Sequence, residues 1–220
     1  MIRDDNPVRG IPVVTICLIL ACMAVYLWLL SMRPDVRVTA ITLLGFMPRY
    51  LFGELLPGSE PWVSPLGSIF TAMFVHGDFL HLALAMVYLW IFGDNVEDRV
   101  GRSRFLAFYL ICGAVAALAQ AVPDLLSTVP MIGASGAVSG VLGGYVVLYP
   151  RANVLIALPF LLLRVSAPLL IVVWFLAQLS GSLLAERGAS GISFTPHVAG
   201  FITGALLIRW FLLERRQSRA

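Results

Sequence analysis

Six long apolar stretches, separated by segments with polar, glycine or proline residues, account for most of the chain. Each is close to the roughly 20 mainly apolar residues that a membrane-crossing helix requires. We therefore predict an all-α, polytopic membrane protein with six transmembrane helices. The predicted spans cover residues 11–31, 79–92 (with an apolar lead-in from 69), 105–122, 133–150, 167–185 and 194–213.

Two further apolar stretches fit this scheme less simply. Residues 38–57 are broken by Gly45, Pro48 and Gly53, which indicates short or interfacial helices within a long loop. Residues 154–163 are short and interrupted by Pro159, so we expect them to connect or extend helices four and five.

The composition agrees with a lipid environment and argues against other classes. The 220 residues are 60% hydrophobic and only 12% charged, with a mean hydropathy of +0.92, against a charged fraction of about 25% in soluble domains. The net charge of +3 comes from arginines scattered between apolar stretches, so we expect no nucleic-acid partner. The three cysteines lack metal-ligand or CxxC spacing, and they are expected to pack as small apolar residues.

The arginines also predict an orientation. With both termini in the cytoplasm, eleven of the fifteen arginines fall on the cytoplasmic side, as the positive-inside rule requires. We expect a multi-pass protein of the cell inner (plasma) membrane, with a cytoplasmic tail at residues 1–10, a membrane domain at 11–213 and a second cytoplasmic tail at 214–220. The first stretch continues well past Cys22, which favours an uncleaved anchor over a signal peptide.

In this orientation four polar residues lie at a similar depth in the outer part of the membrane. They are His76 and His81 at the start of helix two, Ser135 at the start of helix four, and His197 near the start of helix six. Ionisable groups in membrane spans are costly and are candidates for function. A packing role for a single histidine, bonded to a backbone carbonyl, is the plainer alternative.

Ser135 has the setting of a nucleophile. It lies between Gly133 and Gly136 at a helix start, where backbone N–H groups lack helical partners and the helix dipole favours negative charge. Flanking glycines let a substrate backbone approach closely. His197 is then the candidate base.

Glycine stripes give a reason for the two residues to meet. Gly136 and Gly140 on helix four, and Gly200 and Gly204 on helix six, have GxxxG spacing, which lets membrane helices approach closely. This packing would bring Ser135 and His197 together, as a serine–histidine pair requires.

The remaining groups favour a dyad over a triad or a metal site. We expect no carboxylate inside the apolar spans, and Asp78 is a candidate only for orienting a neighbouring histidine. His76 and His81 differ by about 140° around an ideal helix, so we expect His81 to face inward and His76 to hold a loop. No HExxH motif or third ligand at metal spacing follows, so no metal is predicted.

Five strings, in this order, make the chain similar to the rhomboid family of bacterial six-helix type. They are His76-Gly-Asp-Phe-Leu-His81, Leu89-Trp-Ile-Phe-Gly-Asp-Asn-Val-Glu-Asp-Arg-Val-Gly101, Gly133-Ala-Ser-Gly-Ala-Val-Ser-Gly140, Tyr149-Pro-Arg151 and His197-Val-Ala-Gly-Phe-Ile-Thr-Gly204. The resemblance covers roughly residues 60–210.

The resemblance implies an intramembrane serine endopeptidase that cleaves single-pass transmembrane proteins in the lipid bilayer without a cofactor. It implies that Ser135 attacks, His197 transfers the proton, and His81 and the Ser135 N–H bind the oxyanion. It further implies that His76 supports the loop over the site, that the first loop lies partly in the membrane, and that helix five and the following cap gate substrate entry.

One departure from the family bears on activity. Relatives commonly carry an asparagine, a further oxyanion donor, where this chain has Ala85. Loss of one such donor costs on the order of 10²–10³ in rate. An inactive rhomboid-like protein that binds membrane clients is therefore a second hypothesis. A small transporter is a third, although the chain shows no internal repeat.

Overall fold

The computed structural model describes residues 2–6, 8, 10–53, 62–158, 161–185 and 194–217. Within these residues it contains nine α-helices, one 3₁₀ turn and three short strands. The helices are α1 (Val13–Leu30), α2 (Pro34–Leu44), α3 (Pro48–Phe52), α4 (Pro65–Thr71), α5 (Phe79–Val100), α6 (Arg102–Ala119), α7 (Ser135–Leu148), α8 (Ala167–Ala185) and α9 (Thr195–Gln217).

All six predicted spans coincide with helices, namely α1 and α5 to α9. By length and composition α1, α5 and α6 can each cross a membrane, and α7 and the described start of α8 are shorter apolar helices. α7 is the central helix, because its residues from Ser135 to Tyr145 are all buried. It packs most extensively against α9 and also contacts α5 and α6. Large apolar side chains such as Leu27, Leu176 and Leu206 are exposed on the outside, as expected of surfaces that face lipid.

The long connection between α1 and α5 contains short helices, as the sequence predicts. α2, α3 and α4 each begin at a proline, which has no N–H to leave unbonded and a φ suited to a first helical turn. The 3₁₀ turn Ala72–Phe74 then leads towards α5. This connection reaches the entrance of α7, because Phe46 and Met131 exchange backbone hydrogen bonds of 3.0 and 2.8 Å.

α5 extends further than the sequence predicts and brings a carboxylate inside. The predicted span ends near Phe92, but the helix continues to Val100 and includes Glu97, which is only 3% exposed. The Glu97 carboxylate accepts hydrogen bonds from the N–H groups of Val14 and Thr15 and from the Thr15 hydroxyl, at 2.8 to 2.9 Å. It thus caps the free N–H groups at the start of α1. Glu97 lies beyond the predicted end of this span, so the structure differs from the prediction in the length of the helix.

A small antiparallel sheet joins the N-terminal segment to the connection between α7 and α8. Its strands are β1 (Ile2–Asp4), β2 (Asn153–Leu158) and β3 (Leu161–Ser166), in the order β1-β2-β3. β2 and β3 are the stretch expected to connect or extend helices four and five, and they connect them as a hairpin. Asp5 fixes the sheet, since its carboxylate accepts from the Asn153 N–H at 3.0 Å.

The domain boundaries remain predictions. The C-terminal tail expected at 214–220 lies partly outside the described residues, as do residues 186–193, the cap that follows helix five. Within the described chain, the ends of the bundle are distinct. We call the end that carries Ser135 the site end, and the end that carries the strands the sheet end. α5, α7 and α9 begin at the site end, and α8 begins at the sheet end.

Candidate active site

Ser135 and His197 are in hydrogen-bond contact inside the bundle. The His197 Nε2 atom lies 2.8 Å from the Ser135 Oγ atom, and each residue is only 4% exposed. Ser135 is the first residue of α7, and His197 lies in the first turn of α9. Because α7 and α9 both begin at the site end, their first turns lie side by side.

Glycines set the close approach of these two helices. A Cβ atom added at Gly200 would overlap the carbonyl oxygen of Gly136, and one added at Gly204 would overlap the carbonyl oxygen of Gly140. A Cβ at Gly140 would in turn lie 3.2 Å from the Gly200 carbonyl oxygen. The backbones of α7 and α9 are thus in direct contact, one turn and two turns below the serine–histidine pair.

Gly133 allows the His81 ring to lie close to Ser135. Its φ of +106° is in the region that side chains other than glycine rarely adopt. A Cβ at Gly133 would lie 2.5 Å from the His81 Nε2 atom and 3.6 Å from the Ser135 Oγ atom. The His81 ring therefore faces the space above the serine hydroxyl. That space also borders the backbone N–H of Ser135, which no carbonyl within α7 can accept.

His76 holds the loop that leads into α7. Its Nε2 atom accepts the N–H of Ala134 at 3.2 Å, and its Nδ1 atom lies 3.3 Å from the Phe74 carbonyl oxygen. A histidine nitrogen that accepts a backbone N–H must be unprotonated, so we assign the neutral tautomer with the proton on Nδ1. His76 is 1% exposed, and its ring meets the His81 ring edge-on at 5.2 Å.

Asp78 has a structural contact. It is the N-cap of α5, and its carboxylate accepts the His81 backbone N–H at 2.9 Å. This bond satisfies a donor at the helix start. It does not involve the imidazole of His81, so Asp78 acts on that residue through the backbone.

α8 is hydrogen-bonded to both α7 and α5 near the site. The Trp174 indole donates to the Ser139 Oγ atom at 3.3 Å, and the Tyr88 hydroxyl donates to the Leu170 carbonyl at 3.1 Å. Ala85, the departure from the family pattern, is fully buried and carries only a methyl group into this region. Among the described residues, no group of three or more His, Cys, Asp or Glu side chains is placed to hold a metal ion.

Comparison with known proteins identifies the fold family. Residues 64–215 match the sequence profile of the Rhomboid domain, which is well over half of the chain.

The chain belongs to the rhomboid family.

Curated relatives carry the same family name. The Bacillus subtilis protein "Putative rhomboid protease YdcA" is 27% identical over 223 residues, covering 99% of this chain and 98% of that protein. "Rhomboid protease GluP" of Bacillus subtilis is 39% identical over 85 residues, 38% of this chain and 16% of its own length. "Rhomboid protein 1, mitochondrial" of Saccharomyces cerevisiae is 38% identical over 115 residues, 50% of this chain and 32% of its own. The chain thus spans about a third or less of the latter two relatives.

The rhomboid domain, at 64–215, contains Ser135, His197, His81, His76 and Asp78. It is a polytopic helical membrane fold, and the apolar helices of this chain agree with it. Several buried polar residues of the rhomboid domain were not predicted from the sequence, among them Asn95, Glu97 and Gln178. Gln178 lies within the fifth span and is 8% exposed. Its isolation among apolar residues was the available signal.

Proposed function

We propose that this rhomboid domain is a serine endopeptidase that cleaves membrane-embedded substrates through Ser135 and His197. The observation that carries the proposal is the 2.8 Å contact between the Ser135 Oγ and His197 Nε2 atoms in a buried site. A hydroxyl becomes an effective nucleophile when an adjacent base removes its proton.

The contact supports a two-step reaction. His197 Nε2 takes the Ser135 proton while Oγ bonds to the scissile carbonyl carbon, which gives a tetrahedral intermediate and an imidazolium. The imidazolium then protonates the leaving amine as the C–N bond breaks, leaving an acyl-enzyme. A water molecule repeats the sequence on the ester, with His197 again as base and then as acid, and restores Ser135.

The oxyanion of each intermediate needs donors that are already in position. The first is the Ser135 N–H at the start of α7, where the helix dipole also favours negative charge. The second is His81, whose Nε2 atom and the serine Oγ share the space beside Gly133. His76 contributes indirectly, because its bond to the Ala134 N–H fixes the peptide that precedes the serine.

We further propose single-pass transmembrane proteins as substrates and a plasma-membrane location with both termini cytoplasmic. The sheet supports this topology, since β1 pairs with β2 and so joins the N-terminal segment to the α7–α8 connection. The Arg104 guanidinium reaches the Phe211 carbonyl at 3.4 Å, which joins the start of α6 to the late part of α9. Both contacts lie on the side that the arginine distribution assigns to the cytoplasm.

The test is cleavage of a fluorescently labelled transmembrane-helix substrate by the purified chain in liposomes. We expect cleavage by the wild type and a loss of at least about 10³-fold in Ser135→Ala and in His197→Ala. Ser182→Ala, another serine of the membrane domain, is the matched control and should cleave normally. Cleavage that survives both substitutions would overturn the assignment.

Ala85 favours one alternative, a rhomboid-like protein that binds membrane clients without cleaving them. A buried methyl at this position supplies no donor. A serine-reactive fluorophosphonate distinguishes the two functions, because it labels only an activated hydroxyl. Labelling that is lost in Ser135→Ala supports the protease, and an unlabelled wild type that still co-purifies with clients supports the alternative.

A further inference from the structure

The first turn of α9 is in contact with an aromatic ring of α8 that the mechanism above does not use. The ring of Phe175, in the middle of α8, lies 6.0 Å from the ring of Phe194 and 5.1 Å from the ring of Phe201, measured between centroids. The ring planes meet at 81° and 87°, the edge-to-face arrangement that aromatic pairs favour. Phe194 and Phe201 lie about one turn before and one turn after His197. One ring of α8 thus contacts α9 on both sides of the candidate base.

Phe194 acts on His197 through the backbone. Its carbonyl oxygen accepts the N–H of His197 at 3.1 Å and that of Val198 at 3.3 Å. These bonds form the first turn of α9 and set the direction in which the helix begins. The Cα–Cβ bond of His197 follows the direction of this backbone, so a shift of Phe194 would move the imidazole as well.

Phe201 is fixed from the other direction, by α7. A Cβ atom added at Gly143 would overlap the Phe201 carbonyl oxygen, and one added at Gly200 would overlap the Gly136 carbonyl oxygen. α9 is therefore in backbone contact with α7 from Gly200 onward, and closely packed backbones resist displacement. The Phe175 ring contacts this fixed part of α9 and also the turn that carries His197.

α8 is itself held to the bundle at the level of Phe175. The Trp174 indole donates to the Ser139 Oγ atom of α7 at 3.3 Å, and the Tyr88 hydroxyl of α5 donates to the Leu170 carbonyl at 3.1 Å. Both contacts lie within about one and a half turns of Phe175. The ring that faces α9 therefore belongs to a part of α8 that α5 and α7 hold in place.

We propose that Phe175 is a positioning residue for His197, because its ring fixes the first turn of α9 against α8. The proposal rests on the proteolytic function argued above. The contact between the His197 Nε2 and Ser135 Oγ atoms is 2.8 Å, and a base must lie within hydrogen-bond reach of the proton that it removes. An aromatic ring suits the task because it restrains α9 by packing over a large area and leaves no polar group to satisfy in a buried site.

The first experiment replaces the ring by a smaller apolar side chain. Phe175→Leu is compared with Phe211→Leu, the matched control. The Phe211 ring of α9 also meets a neighbouring helix edge-to-face, at 5.6 Å and 79° from Phe108, but it lies about four turns from His197. With a transmembrane-helix substrate in liposomes, we expect Phe175→Leu to lower kcat about tenfold with KM within about twofold. The control should lose similar thermal stability and keep kcat within about twofold.

The rate of fluorophosphonate labelling adds a readout that needs no substrate helix. Labelling of Ser135 depends on His197, so Phe175→Leu should lower its rate by about the same factor as kcat. A labelling rate that stays at the wild-type value would place the defect outside the serine–histidine pair and overturn the proposal. Unchanged kcat, a raised KM with unchanged kcat, or an equal loss of kcat in Phe211→Leu would also overturn it.

The second experiment tests whether the ring acts through Phe194. Phe194→Leu removes the other side of the contact and leaves α8 intact, so it is informative even where Phe175→Leu does not fold. It should lower kcat about tenfold, and the double variant should lose less than about threefold beyond either single variant, because each already lacks the contact. Wild-type kcat in Phe194→Leu, or losses that multiply to about 10²-fold in the double variant, would refute the role of Phe175.

Failure of this inference is separable from failure of the proposed function. If the wild type neither cleaves nor takes a fluorophosphonate on Ser135, the protease assignment falls and the role of Phe175 falls with it. If the wild type cleaves and is labelled while Phe175→Leu and Phe194→Leu behave like Phe211→Leu, only the role of Phe175 is overturned.

Discussion

Substituting Gly200 by alanine should separate the catalytic pair while leaving both of its members in place. The added Cβ would overlap the Gly136 carbonyl oxygen, whereas ordinary contact begins at 3.4 Å. Gly136 directly follows Ser135, and Gly200 lies in the first turns of α9 with His197. Both backbone atoms belong to packed helices, so neither can rotate away as a side chain would.

The magnitude follows from the geometry. Moving α9 away from α7 by about 1 Å would lengthen the 2.8 Å contact between Ser135 and His197 beyond the range of a hydrogen bond. A misplacement of about 1 Å at a reacting centre costs on the order of 10²-fold in rate. Overpacking should cost about 1–3 kcal/mol of stability, partly offset by the higher helix propensity of alanine, about 1 kcal/mol.

The assay is kcat/KM on a transmembrane-helix substrate, with thermal unfolding measured on the same samples. We expect Gly200→Ala to lose about 10²-fold in kcat/KM while remaining folded. Gly10→Ala is the control, because nothing lies within 4 Å of its added Cβ. Wild-type kcat/KM and unchanged unfolding in Gly200→Ala would show that the helices are not in backbone contact, and the argument for the pair would fail with it.

Three further predictions test other parts of the molecule. Glu97→Gln replaces one acceptor oxygen with an N–H donor that faces the N–H groups at the start of α1, so it should lower the free energy of unfolding by about 2 kcal/mol. Thr15→Ala should lower it by less. Both values are measured by unfolding in detergent. His76→Phe removes the acceptor that holds the loop before α7. It should therefore lower kcat by a larger factor than it lowers the rate of fluorophosphonate labelling, when both are measured on one preparation. Hydrogen bonds from Asn153 lower the pKa of Asp5 from its ordinary value of 3.8, so the Asp5 contact stabilises the sheet above that pH and is lost as the pH falls through the lowered pKa. Limited proteolysis of the N-terminal segment should therefore increase on acidification in the wild type and be pH-independent in Asp5→Ala.

The parts of the fold that the sequence predicted are those that depend on hydrophobicity and residue size. The six apolar stretches predict helices because each is long enough for lipid to demand internal backbone hydrogen bonds. Gly140, Gly200 and Gly204 indicate close packing because only small residues let two backbones touch. Neither inference needs knowledge of the rest of the molecule.

The parts that escaped prediction depend on partners distant in sequence. Glu97 lies beyond the predicted end of the second span, because nothing local shows that its carboxylate meets the N–H groups of α1. The sequence of the β2–β3 hairpin is equally compatible with a helix, because the periodicity of short apolar stretches is ambiguous. Its partner β1 lies about 150 residues earlier in the chain, so no local pattern indicates the pairing.

Catalysis at the proposed site should depend strongly on its hydrogen-bond donors, because the site is buried in a medium of low dielectric. Its resting groups, the Ser135 hydroxyl and the neutral imidazoles, carry no charge, so the buried site avoids the cost of ions in a medium of low dielectric. The reaction creates two charges together, an imidazolium on His197 and an oxyanion beside Ser135. Their mutual attraction is strong in this medium, but the oxyanion also loses the hydration of a carbonyl in water. Fixed donors must replace that hydration, so removing one of them should cost more here than the same deletion at an exposed site, and the deficit should appear in kcat rather than in KM.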